Sequence, residues 1–146
     1  ANVSCKQPVE APAFLLQKGM QPIHFAAMHG HSMAVTSLLW HRAKVSTTST
    51  SSRATPAHFA ASFGHIEALQ TLLEHRADID AKDAMQTSLI AAAIATGRVE
   101  ALRWLVSAGA SVAADEHGVT PLNYVAYLVP RRDIVEVLVG AGVSME

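Results

Sequence analysis

Cysteine is almost missing from this chain of 146 residues, which has Cys5 and no other. A single thiol forms neither an internal disulfide nor a multi-thiolate zinc site, a pattern that fits a reducing compartment. Aromatic residues are scarce at 5%, and charged residues make up only 16%. The net charge is −1, and the Lys and Arg are scattered rather than gathered into the basic stripe of a nucleic-acid binder. Long hydrophobic runs are also lacking. The longest, Leu89 to Ala95, falls far short of the ~18 residues that a membrane span requires. No signal-peptide pattern stands among these residues, and no glycine-rich phosphate cradle or G-x-S-x-G elbow occurs. The expected setting is the cytoplasm or nucleus, with no nucleic acid, membrane insertion, metal or cofactor.

What is abundant is alanine and leucine, and half of the chain is hydrophobic. Small side chains and strong helix formers point to helices that pack closely. One pattern recurs along the chain: a turn, an Ala-rich stretch, a glycine, then a Leu-rich stretch. Gln21-Pro22-Ile23-His24-Phe25-Ala26-Ala27 is echoed by Thr55-Pro56-Ala57-His58-Phe59-Ala60-Ala61. Thr87-Ser88-Leu89-Ile90-Ala91-Ala92-Ala93 and Thr120-Pro121-Leu122-Asn123-Tyr124-Val125-Ala126 continue the series. Counted this way the starts lie 34, 32 and 33 residues apart, and the second halves (Leu38-Leu39, Leu72-Leu73, Leu105-Val106, Leu138-Val139) lie 34, 33 and 33 apart. A fixed period of this size marks a repeat array.

Each residue type has a local reason to be there. Thr before Pro caps a helix whose first position tolerates a missing N–H. Gly30, Gly64 and Gly97 end the first helix, because glycine takes the left-handed conformation freely. A second helix follows, with Ala68, Leu69, Leu72 and Leu73 at helical spacing. Ala77 to Asp83 is too short and polar for a further helix and reads as a hairpin-like connection.

These copies closely resemble the ankyrin repeat, whose units read roughly D-x-x-G-x-T-P-L-H-x-A-A-x-x-G-H before a Leu-rich helix. The resemblance runs from about residue 16 to 146, and the copy from Thr55 to Asp83 keeps almost every position. It implies an all-α fold, an ankyrin-type solenoid of stacked antiparallel helix pairs with projecting hairpin-like fingers. The expected division is a leading tail or partial cap over residues 1–15, then repeats at about 16–49, 50–82, 83–114 and 115–146. A stack needs polar outer faces at its ends. The last copy ends directly after the apolar Ile134-Val135-Val137-Leu138 helix, so a segment of a longer protein is expected. Phe14-Leu15-Leu16 would serve the partial cap.

The copies also depart from the pattern. Gln21 replaces the capping Thr, Ser88 stands where proline is usual, and Pro130 stands where the fourth glycine should be. Starting the third copy at Thr87 makes Gly97 and Pro130 both one residue late, so that two copies agree with each other. Starting it at Ser88 removes the shift but places Ile94 at a usually small position. The first phasing is the expectation adopted. Arg42 and Arg76 replace the glycine that ends the second helix. If that backbone stays left-handed, each costs roughly 1 kcal/mol.

The histidines are read as structural. His24 and His58 fill the T-P-x-H position, which the resemblance implies ties adjacent loops together. His31 and His65 follow turn glycines, while His41 and His75 sit in the last turn of the second helix, where the dipole favours them. His29 and His117 have no such repeat-level role, and no pair has the spacing of a zinc motif. Asp78, Asp80, Asp83, Asp115 and Glu116 read as solvated finger carboxylates rather than acid–base pairs. Ser46 to Ser52 forms a Ser/Thr-rich finger, a candidate for phosphorylation.

No catalytic residue is expected. The resemblance implies docking on a concave face made by fingertips and the ends of the first helices. Those positions are Met28 and His29, Ser62 and Phe63, Ile94 and Ala95, and Tyr127 and Leu128. Their apolar and aromatic character marks an interaction site. Trp40 reads as an outer-face anchor and Trp104 as packing beneath a neighbour. The expected function is a monomeric, non-catalytic protein–protein interaction module holding a protein or peptide segment. The alternative is a targeting or regulatory domain of a larger enzyme or a ubiquitin-ligase adaptor.

Overall fold

The computed structural model describes residues 19–114, 117–128 and 131–142. Eight helices occur there in four pairs: α1 (Pro22–Met28) with α2 (Ser32–Trp40), α3 (Pro56–Phe63) with α4 (Ile66–Glu74), α5 (Leu89–Ala95) with α6 (Val99–Ser107), and α7 (Pro121–Leu128) with α8 (Arg132–Gly140). The expected leading tail lies outside the described residues. The odd-numbered helices pack successively on one another and form an inner layer, and α2, α4, α6 and α8 form an outer layer. Between pairs, the connections contain no extended strand among the described residues, only the isolated antiparallel bridge of Lys82 to Ser88.

Alanine sets the spacing of the inner layer. Ala27, Ala60, Ala61 and Ala93 are completely buried, so the neighbouring helix backbones approach without bulky side chains between them. The outer helices instead supply volume. Ala68 and Leu72, Ala101 and Leu105, and Ile134 and Leu138 occupy matching places in successive copies, and all are buried. Full burial of each leucine contributes about 1.5–3 kcal/mol relative to an exposed side chain.

Tight helix ends link the two layers. Gly30 and His31 donate backbone N–H groups to Ala27 and Ala26, Gly64 and His65 to Ala61 and Ala60, and Gly97 and Arg98 to Ile94 and Ala93. This is the Schellman pattern, with a left-handed residue just past the helix. The outer helices close the same way at Arg42, Arg76 and Gly109, where φ is 66, 68 and 94°. Arginine therefore holds glycine's conformation in the first two copies.

The phasing of the third copy differs from expectation. Ser88, not Thr87, is the cap of α5, and its hydroxyl accepts the Ala91 N–H at 3.2 Å. Two residues before each cap the backbone turns left-handed, at Gly19, Arg53, Gln86 and Gly118. Gln86 thus fixes the start at Ser88, and the helix starts become 34, 33 and 32 residues apart. Gly97 then lies nine residues after its cap, as Gly30 and Gly64 do. Pro130 lies outside the described residues.

Candidate interaction surface

The surface is held by ties between neighbouring connections, and buried histidines supply two of them. In α3 the cap Thr55 and His58 form a reciprocal capping box, in which His58 Nδ1 accepts the Thr55 N–H at 3.1 Å. That leaves Nε2–H to donate across to the Thr87 carbonyl at 2.9 Å, in the next finger. His24 repeats the device, accepting the Gln21 N–H at 2.8 Å and donating to the Thr47 carbonyl at 3.1 Å. Burial pushes both imidazoles below the usual histidine pKa, with the carbonyl contacts and, at His58, nearby Asp83 acting in opposition. Both rings are therefore neutral struts. Asn123 takes the place in the fourth copy, its Oδ1 accepting the Thr120 N–H at 2.7 Å. The third copy has Ala91 there, beside a cavity of about 100 Å³ between its flanking fingers.

The finger carboxylates are occupied in the same work. Asp83 accepts the backbone N–H groups of Met85 and Thr87, both at 2.9 Å, which shapes the fingertip. Asp80 accepts the Ser111 N–H of the following finger at 2.8 Å. Asp115 and Glu116 lie outside the described residues. His41 and His75 each bond the carbonyl four residues back, Ser37 at 2.7 Å and Thr71 at 2.8 Å, closing the outer helices. Among the described residues no group of three or more His, Cys, Asp and Glu side chains converges as a metal site. No helix among them is long and apolar enough to cross a membrane.

On the opposite ends of the inner helices, each turn glycine is covered by the residue that starts the next outer helix. A Cβ on Gly30 would lie 2.4 Å from His65 Nδ1, and one on Gly64 would lie 3.1 Å from Arg98. Arg98 Nε also donates to the Ser62 carbonyl at 3.3 Å, and Arg131 to the Gly97 carbonyl at 3.1 Å. These lateral bonds set the last residues of the inner helices in a row.

Most of the expected row is at the surface. Met28 and Ser62 are half-buried, His29 and Ala95 are exposed, Phe63 is 45% exposed and Tyr127 is 88% exposed. The backbone of Leu128 belongs to α7, but its side chain lies outside the described set. Ile94 is a correction. It is completely buried, because capping at Ser88 places it level with Ala27 and Ala61 on the packing side of the inner layer. The exposed position beside Ala95 is Thr96, which sequence reasoning missed through the one-residue phasing error. It also missed Met85, a fingertip side chain that is 83% exposed. The readable signal was its place in a short polar connection just after the turn-forming Asp83. Trp40 is 78% exposed on α2, whereas Trp104 is half-buried against the core.

A family model described as "Ankyrin repeats (3 copies)" matches residues 3–83. The search of curated proteins found no match.

Proposed function

Because the chain belongs to the ankyrin repeat family, whose members generally serve as protein–protein interaction modules, we propose that it holds a protein segment along the row of inner-helix ends. The observation that carries this reading is the solvent exposure of Phe63 and Tyr127 at matching ends of two inner helices. Large aromatic side chains left in water on a rigid scaffold are favourable anchors, since they bury much area and lose little rotamer entropy on binding. Met28 extends the row toward the first copy, and Met85 stands on a fingertip. Ser62, Ala95 and Thr96 leave a low floor between the aromatic groups. That relief suits an extended or helical segment presenting apolar side chains at intervals.

Phe63→Glu with Tyr127→Glu is expected to reduce capture of the bound protein at least tenfold, the loss of about 1.4 kcal/mol that one modest anchor supplies. Arg103→Glu, on the exposed side of α6, is expected to leave capture unchanged. Equal capture by the double variant and the parent, with helix content intact, would refute the proposed face.

A further inference from the structure

At the leading end of the array, α1 and α2 leave open a largely apolar groove of about 740 Å³, lined by Pro22, Phe25, Ala34 and Leu38 among others, with Ser37, His29, His31 and His41 as polar members. Later copies close these same positions. Ala68 and Leu72 are completely buried in α4, as are Leu105 in α6 and Ile134 and Leu138 in α8, whereas Ala34 is exposed and Leu38 is only half-buried. Pro56, Leu89 and Pro121 are buried at their helix starts, while Pro22 is exposed. In every later copy the neighbouring helices of the preceding pair pack there. The groove therefore has the chemistry of a face made to receive one more outer helix.

We propose that residues 9–18 of this chain fill it, as the outer helix of a leading copy that has lost its finger. Val9-Glu10-Ala11 and Leu15-Leu16 repeat the spacing of Ile66-Glu67-Ala68 and Leu72-Leu73. Gly19 then falls at the place of Arg76 while also standing two residues before the cap Gln21, so that with the finger gone one left-handed residue, φ 84°, serves both places. Leu15-Leu16 precede Leu38-Leu39 by 23 residues where the later spacing is 33 or 34, so the deficit is about one finger. Pro12 stands at the place of Leu69, whose N–H bonds the His65 carbonyl, so the leading helix would begin two residues later than α4, near Ala11, where a missing N–H has no cost. From Lys18 to the cap Gln21 the chain spans up to ~10 Å, enough to step between adjacent helix ends. The family match begins at residue 3, ahead of the helix pair that starts at Pro22, so it takes in residues 9–18.

Hydrogen exchange on the whole chain tests this. Residues 9–18 are expected to exchange slowly, and Leu15→Asp with Leu16→Asp is expected to speed exchange across α2 about tenfold while α6 stays protected. Ala34→Glu, made from the groove side, is expected to release residues 9–18 in the same way. Unprotected residues 9–18 in the parent, or α2 exchange indifferent to the leucine substitutions, would overturn the proposal. Protection that vanishes on dilution would place a second copy in the groove and overturn it equally. Should the leucine variant fail to fold, loss of protection in α6 would reveal it, and the parent and Ala34→Glu measurements would decide.

Discussion

Arg42, Arg53, Arg76 and Gln86 hold left-handed backbone, with φ of 66, 53, 68 and 61°. For a side chain with a Cβ, this conformation costs roughly 1 kcal/mol relative to glycine. Arg42→Gly and Arg76→Gly are each expected to raise stability by several tenths of a kcal/mol up to about 1 kcal/mol, the gain being trimmed by glycine's greater freedom in the unfolded chain. Urea midpoints check this. The reverse change provides a calibration, since a Cβ on Gly109 meets nothing within 4 Å. Gly109→Ala should cost about 1 kcal/mol through conformation alone. Gly30→Ala should cost more, because its Cβ would also collide with the His65 ring.

Two buried imidazoles give the residue scale a pH signature. Burial lowers the folded pKa of His24 and His58, whereas in the unfolded chain each titrates near 6.5. Below about pH 6.5 the unfolded state therefore binds more protons, and stability falls as the pH drops through the folded values. Protonation also converts Nδ1 from acceptor to donor against the Gln21 and Thr55 N–H groups. The thermal midpoint is expected to be lower near pH 5 than near pH 7.5. His58→Asn, which copies the Asn123 cap, should flatten that dependence. An unchanged pH profile in this variant would show that His58 does not drive the effect.

At the scale of the element, the helix pairs were readable because each signal has a local cause. Cap, proline, alanine run, glycine and leucine pair all act within a few residues of where they stand. The start of α5 was not readable with the same security. Thr87 and Ser88 are both good caps, and the proline that would choose between them is replaced by Leu89. The deciding feature, the left-handed turn two residues earlier, is carried by Gln86 rather than glycine. Its identity conceals its conformation. From that single ambiguity came the misplacement of Ile94 and the omission of Thr96.

The corrected phasing makes its own prediction. Ala91 occupies the place of His24 and His58, beside the cavity near Ser88, Ser111 and Tyr124. Ala91→His should fill that space, accept the Ser88 N–H and reach toward the carbonyl preceding the fourth cap. A gain of about 1 kcal/mol per hydrogen bond formed is expected in chemical unfolding. A loss of stability would indicate that the third and fourth fingers cannot receive the ring.

For the whole molecule, the stack behaves as a chain of neighbours. Each pair buries its faces mainly against the pairs beside it, so stability is distributed along the array and unfolding should be broad rather than sharply two-state. Function follows from the same geometry. The ties through His24, His58, Arg98 and Arg131 fix the relative places of successive inner-helix ends, and the side chains at those ends differ from copy to copy. The scaffold was legible in the repeated residues. The proposed surface was legible only in part, because exposure at Phe63 and Tyr127 depends on packing between copies distant in sequence.

A photo-crosslinking residue placed at position 63, and in a second protein at position 127, tests the proposed face most directly. The account predicts covalent capture of the bound protein from both positions and none from position 103 on the exposed side of α6. Capture from position 103 alone would contradict it.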